Sequence, residues 1–124
     1  MKSIFGCYNG DKRVIYIKPF VPEFGRKIRL YLDSEVNSIS YISASIIDSL
    51  NPNVIERDNY GEFVDLDLIF KTLEGQRQSL TVRFQVLEIE GNDFVLGDDV
   101  LQDFSYDSDG IMFNEGEVRV YIRG

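Results

Sequence analysis

The stretch that decides the fold spans residues 26–36 and reads Arg26-Lys27-Ile28-Arg29-Leu30-Tyr31-Leu32-Asp33-Ser34-Glu35-Val36. Apolar side chains alternate with charged or polar ones, so that Ile28, Leu30 and Leu32 share one face. Because successive side chains of a strand point to opposite faces, the pattern predicts a half-buried strand over residues 26–32. The strand runs directly into Asp33 and Ser34, which places a carboxylate at its end.

Further elements are predicted on both sides of this strand. Residues 13–20 are typical of a strand, and Pro19 should end this strand or place it at a sheet edge. Residues 38–43 are typical of a short strand. A helix is predicted over residues 43–50, because Ser43 can cap it and Ile46, Ile47 and Leu50 have helical spacing. The following Asn51-Pro52 ends this helix.

The second half of the chain also predicts short strands. Residues 62–73 and 79–88 alternate as the two arms of a hairpin around a turn at residues 74–77. The remaining expectations are a strand over 94–97, one or two helical turns over 98–104, and strands over 111–113 and 118–122 around a turn at 114–117. The chain of 124 residues suits one mainly β domain over residues 1–124, which a longer protein could contain.

Composition excludes several classes of function. The net charge of -8 argues against nucleic acid and anionic membranes as direct partners. The absence of histidine excludes Ser-His-Asp and Cys-His catalysis, and the single Cys7 cannot form an internal disulfide and has no nearby base. No apolar stretch is long enough to span a bilayer, and residues 1–6 lack a signal-peptide core. We therefore expect an intracellular protein, cytoplasmic or nuclear.

An acidic group near the C-terminus raises the question of a metal. It consists of Asp98, Asp99, Asp103, Asp107 and Asp109. The run Asp107-Ser108-Asp109-Gly110 partly resembles a calcium loop, but it lacks the further ligands and the distal glutamate. A solvated acidic face is the favoured interpretation, and we expect no metal and no cofactor.

Three segments in order resemble the retropepsin-like aspartic proteases, the family of the retroviral proteases. Leu30-Tyr31-Leu32-Asp33-Ser34 is similar to the catalytic strand, which ends in D-T-G or D-S-G in that family. Residues 37–43 are similar to the segment after that strand, and residues 94–101 to a C-terminal I-L-G-x-D-x-L signature that includes Leu96 and Gly97. The resemblance covers residues 13–122 and implies a closed β-barrel, the half-domain of the acid proteases.

The resemblance also implies a chemistry. In that family two chains each contribute one aspartate, the two carboxylates share a proton, and they act as general base and general acid on a water and a peptide carbonyl. By this resemblance Asp33 is the catalytic residue and Ser34 braces the loop. On the strand pattern alone, the favoured interpretation of Asp33 is a polar residue at a strand end, and Ser34 fits an ordinary turn residue as well as a bracing role.

The sequence departs from the family pattern at two places. Glu35 stands where the family has glycine, and either Glu35 or Val36 is an extra residue. A dimer would then hold four carboxylates in a small space. The hairpin that closes over substrate in the family is also shortened here, with Asn59-Tyr60-Gly61 as the candidate flap tip.

These departures favour a catalytically inactive, homodimerising protein-interaction or assembly module over an enzyme. Its dimer strand would contain Val118, Val120 and Ile122. The first alternative is an active homodimeric aspartic endopeptidase that uses Asp33 from each chain. The second is a β-barrel or sandwich of another family that binds a protein through a strand edge. Whether Asp33 and Gly97 lie on adjacent loops distinguishes the two retropepsin-like hypotheses from the hypothesis of another β-barrel or sandwich family.

Overall fold

The structure is a computed structural model and describes residues 2–9, 14–33, 38–48, 55–89, 94–97, 99, 101–102, 111–113 and 118–123. These ranges contain one short helix, α1 (Ala44–Ile47), and many strands. The strands are β1 (Lys2–Asn9), β2 (Val14–Ile17), β3 (Phe20–Val21), β4 (Arg26–Lys27), β5 (Leu30–Leu32), β6 (Tyr41–Ser43), β7 (Ile55–Asp58), β8 (Gly61–Lys71), β9 (Arg77–Leu87), β10 (Phe94–Leu96), β11 (Leu101–Gln102), β12 (Ile111–Phe113) and β13 (Val118–Arg123).

All of these strands pair into a single sheet. Its order is β11-β12-β13-β1-β2-β5-β10-β6-β9-β8-β3-β4, and β7 pairs with β8 beside this path. The mainly β fold predicted from the sequence is confirmed. The closed barrel is not confirmed, because no pairing among the described strands joins β11 to β4.

The core is built on a row of side chains in matched register across neighbouring strands. Ile17 faces Leu30, Leu30 faces Phe94, and Phe94 faces Ile42, so the row crosses β2, β5, β10 and β6. All four side chains are buried. Because each buried apolar side chain contributes about 1.5–3 kcal/mol, this row anchors the strands that carry Asp33 and Gly97 at their ends.

The long hairpin of β8 and β9 follows the predicted alternation. Its inward side chains on both arms are buried: Val64, Leu66, Leu68, Phe70, Leu80, Val82 and Phe84. The turn begins earlier than predicted, because the Thr72 N–H donates to the Gln76 carbonyl at 2.8 Å and the Gln76 N–H donates to Thr72 Oγ1 at 3.0 Å. Gly75 has a φ of 82°, which favours glycine at that place in the turn.

The strand predicted over residues 26–32 is divided into β4 and β5. Its alternation is confirmed, since Ile28, Leu30 and Leu32 are buried. The division arises because the two halves have different partners. β4 pairs with β3, whereas β5 lies between β2 and β10.

The helix is shorter in the described residues than predicted. Ser43 occupies the N-cap position, but its hydroxyl donates to the Ile89 carbonyl at 3.2 Å and makes no cap bond to the helix. Ile46 and Ile47 are buried as the helical spacing predicts. Leu50 and Asn51-Pro52 lie outside the described residues.

One prediction is wrong in the C-terminal part. Leu101–Gln102, expected within helical turns, forms the strand β11 and pairs with β12. Strands β1 and β7 were not predicted, and β3 begins at Phe20, the last residue of the strand predicted over residues 13–20. β1 acquires its structure through parallel pairing with β13, which lies far from it along the chain. The turn at 114–117 lies outside the described residues, and the described helix is too short to cross a membrane.

Candidate functional site

The site lies where two parallel strands end side by side. In β5 and β10 the last paired residues are Leu32 and Leu96, so the next residues on the two strands are Asp33 and Gly97. The Asp33 N–H donates to the Leu96 carbonyl at 2.8 Å, which fixes the backbone at this position. The two residues that the resemblance singles out from distant parts of the chain are therefore neighbours.

Gly97 is a glycine because another backbone passes over it. A Cβ at this position would lie 2.5 Å from the carbonyl carbon of Ile39 and 2.8 Å from its nitrogen. Real Cβ atoms do not approach backbone so closely, and backbone cannot move aside as a flexible side chain can. The end of β10 therefore has no room for any side chain.

A hydrogen-bond network on Ser40 holds the two segments in this close contact. Ser40 is 2% exposed, and its hydroxyl accepts the Gly97 N–H at 3.0 Å. The same hydroxyl donates to Asp99 Oδ1 at 2.7 Å, and the Ser40 N–H donates to that oxygen at 3.0 Å. One hydroxyl thus serves as acceptor and donor at once, and a carboxylate strengthens both bonds it accepts.

The candidate flap is connected to this network through Gln85. The Gln85 N–H donates to the Ser40 carbonyl at 3.0 Å, and its side-chain amide donates to the Tyr60 carbonyl at 3.4 Å. Tyr60 stands with Asn59 at the tip of the β7–β8 hairpin and is 84% exposed. The hairpin tip is therefore joined to the strand-end site by a continuous path of hydrogen bonds.

The turn at that tip is tight. Only Asn59 and Tyr60 separate β7 from β8, and the Tyr60 N–H donates to Asp58 Oδ1 at 2.7 Å. Gly61 has a φ of 137°, a conformation that side-chain-bearing residues rarely adopt. The predicted flap residues thus occupy a hairpin tip, but a two-residue one.

Arg83 joins the three strands beneath the tip. Its guanidinium donates to Asp65 and to Glu56, on β8 and β7 respectively. The hydrogen bond with Asp65, followed by that with Glu56, raises the pKa of Arg83 above its ordinary value. Because all three side chains are exposed, this arrangement orients the hairpin more than it stabilises the fold.

Asp33 contributes a half-buried carboxylate to the site. The Ser38 hydroxyl donates to its backbone carbonyl at 3.4 Å. Ser34, Glu35 and Val36 lie outside the described residues, so the bracing and motif-disrupting roles assigned to them stay predictions. Among the residues that the structure describes, no three acidic or thiol side chains gather closely enough to hold a metal ion.

The candidate dimer strand lies inside the sheet. Val118, Val120 and Ile122 belong to β13, which pairs in parallel with β1 from Lys2↔Val118 to Cys7↔Arg123. On its other side β12 pairs with it through Ile111↔Val120 and Met112↔Arg119. β13 therefore is paired on both sides at residues 119–120, and its part in dimerisation stays a prediction.

Three residues of the site were not predicted as such: Ser40, Gln85 and Asp99. Ser40 lies in the segment that resembles the family, and Asp99 in the acidic group that was interpreted as a solvated face. Asp99 is exposed, as that interpretation requires, but its Oδ1 accepts hydrogen bonds from Ser40. Gln85 carries no sequence signal, because its role depends on the backbone of Ser40 and Tyr60.

No family model matches the chain, and comparison with curated proteins and with solved structures finds no match either. The resemblance to retropepsin-like proteases therefore rests on the sequence motifs and on the placement of Asp33 beside Gly97.

Proposed function

We propose that this chain is a catalytically inactive, retropepsin-like domain that acts as a homodimerising interaction module. The observation that supports it is the pair of strand ends, of which one carries Asp33 and the other carries Gly97 with no space for a side chain. One chain therefore supplies a single carboxylate from these two positions.

Aspartic-protease chemistry requires two carboxylates close enough to share a proton. A second carboxylate would have to come from Asp33 of another copy. In such a pair Glu35 would be present twice as well, beside a dyad whose chemistry depends on a single shared proton. The presence of Glu35 in place of the motif glycine thus favours a dimer that forms without catalytic activity.

The expected mode of self-association follows from the strand order. β13 is flanked by β1 along residues 118–123 and by β12 at residues 119–120, so we expect a dimer through Val118, Val120 and Ile122 to replace one of these neighbours with a strand of the second copy. Exchange of an identical element between copies is a common route to dimers, because the contacts already exist within one chain.

Sedimentation velocity over a wide concentration range tests this proposal. We expect a dimer whose population rises with protein concentration. A Cys7→Ser variant under reducing and oxidising conditions is the control, since it removes the single thiol that could cross-link two copies. A monomer throughout the range would contradict the proposal.

The alternative function is an active homodimeric aspartic endopeptidase. It is favoured by the fixed backbone of Asp33, whose N–H donates to Leu96 and whose carbonyl accepts from Ser38. Cleavage of a peptide library at acidic and neutral pH by the wild type, and its loss in Asp33→Asn, would establish this alternative. Equal results for the two proteins would exclude it.

A further inference from the structure

A groove of about 650 Å³ opens near the turn end of the β8–β9 hairpin, away from the strand-end site. Its apolar lining comes from β2, β3 and β8 and includes Ile17, Phe20, Ile69 and Phe70. Phe20 lies in register with Lys27 on one side and with Ile69 on the other. None of the residues of the Asp33 and Gly97 site lines this groove.

The charged side chains that line the groove in the described part of the chain are all basic. Lys18, Lys27, Lys71 and Arg77 line it, and the described lining residues include no aspartate or glutamate. All four side chains are exposed. This concentration of positive charge is unexpected in a chain whose net charge is -8.

These four cations differ from Arg57 and Arg83, two basic residues elsewhere in the sheet. Arg57 forms an ion pair with Glu62, and Arg83 is paired with Glu56 and Asp65. Within the described ranges, none of the four groove cations has an ion pair with a carboxylate. Among the described residues, the groove therefore concentrates positive charge that no ion pair neutralises.

The hairpin adds a second, independent observation. On its outer face, Asp67 accepts a hydrogen bond from Thr81 at 2.6 Å, and Asp65 faces Arg83 as an ion pair. Nearer the turn the pattern is reversed, because Lys71 lies directly opposite Arg77. Like charges directly opposite each other destabilise a strand pair, and an anion between them would relieve the repulsion.

We propose that this groove binds a small amphipathic anion, that is, a carboxylate, sulfate or phosphate group attached to an apolar body. Its volume falls within the roughly 300–1,000 Å³ of sites for small molecules. The apolar lining would bury the body of the ligand, and the Lys71 and Arg77 pair would bind its anionic group. The strongly negative chain as a whole repels extended polyanions, which favours a ligand with a single anionic group.

The probe is dodecanoate below its critical micelle concentration, titrated into the full chain by calorimetry and by amide-resolved NMR. Dodecyltrimethylammonium has the same apolar chain with the opposite charge, and acetate has the same anionic group without the chain. We expect dodecanoate to bind and to shift amides of Phe20, Ile69, Lys71 and Gln76, while the two comparison compounds leave them unchanged. Equal binding of the cationic amphiphile would overturn the proposal.

Two double variants separate the groove from general surface charge. Lys71→Gln with Arg77→Gln removes the facing cations, and we expect the dissociation constant of dodecanoate to rise about tenfold or more. Arg26→Gln with Arg57→Gln makes the same change of charge on strand residues that do not line the groove, and it should leave binding unchanged. Unchanged binding in the first variant would contradict the assignment.

The double variant Lys71→Gln with Arg77→Gln also tests the repulsion between Lys71 and Arg77. Because it removes two like charges that face each other, we expect its thermal midpoint to equal or exceed that of the wild type. Anionic vesicles and a short acidic peptide complete the experiment. Binding to either of these without binding to dodecanoate would overturn the small-ligand assignment. None of these results depends on the oligomeric state or on Asp33.

Discussion

β5 and β10 run parallel, side by side, and end in opposite ways. β5 ends in Asp33, whose side chain is half-buried and whose backbone is fixed by a hydrogen bond to Leu96. β10 ends in Gly97, whose missing side chain is required by the passing backbone of Ile39. One end thus carries a functional group and the other carries a packing constraint.

This difference shows that the two ends have unequal tolerance to change. At Gly97 any side chain must displace main-chain atoms, whereas at Asp33 two hydrogen bonds, to Leu96 and from Ser38, involve backbone atoms of Asp33. Substitutions on the β10 side should therefore affect folding, whereas an isosteric substitution of the Asp33 carboxylate should leave folding nearly unchanged.

The largest effect is expected for Gly97→Ala. The new methyl group would clash with the backbone of Ile39, and we expect the free energy of unfolding to fall by about 3 kcal/mol, as in overpacked cores. Urea denaturation followed by circular dichroism measures the change. Gly75→Ala is the control, because Gly75 has a positive φ of 82° but open space around it. A loss at Gly97 no larger than at Gly75 would show that the close approach is not the constraint.

The next effect is expected for Ser40→Ala. This change leaves the buried Gly97 N–H without its acceptor and removes a donor to Asp99. Because an unsatisfied buried donor is costly, we expect a loss of about 2 kcal/mol in the free energy of unfolding. Ser38→Ala is the matched control, since its hydroxyl donates to the Asp33 carbonyl at 3.4 Å, a longer bond than either bond of the Ser40 hydroxyl. Equal losses in the two variants would contradict a special role for Ser40.

The contrast between Ser40 and the hairpin shows what the sequence could predict. The arms of β8 and β9 were predicted because alternation is a local signal that reports which face is buried. The bond between Ser40 and Asp99 joins residues 59 positions apart, and neither residue type nor spacing reveals it. The pairing of β1 with β13 is equally non-local, which explains why β1 carried no recognisable pattern.

The placement of Asp33 beside Gly97 is an intermediate case. The order of two motifs singled it out as the observation that distinguishes the hypotheses, and the register of β5 and β10 accounts for it physically. The resemblance could not predict which end is sterically closed, because that depends on the path of Ile39 over β10. Motifs can thus indicate which strands meet, while the contacts that restrict each strand end require the fold.

A smaller loss of stability is expected from Asp99→Ala, and this variant also measures the coupling between Asp99 and Ser40. Asp99 is exposed, so we expect its loss alone to lower the free energy of unfolding by about 1 kcal/mol. In the double variant with Ser40→Ala the two losses should not add, and the coupling energy should be about 1 kcal/mol. The four proteins are compared by urea denaturation at one pH and one salt concentration. Additive losses would mean that the Ser40 hydroxyl stabilises the fold through Gly97 alone.

The smallest change in stability is expected for Asp33→Asn, which keeps the size of the side chain and both backbone hydrogen bonds of the strand end. We expect a change in the free energy of unfolding of less than about 1 kcal/mol. If the domain is a non-catalytic module, the variant should also retain the self-association of the wild type in sedimentation. A variant that folds and associates normally but loses a peptide-cleaving activity of the wild type would show that the β5 end remains catalytic. In that case Asp33 at the end of β5 would supply the reactive carboxylate, and Gly97 at the end of β10 would supply the close packing that the same active site needs.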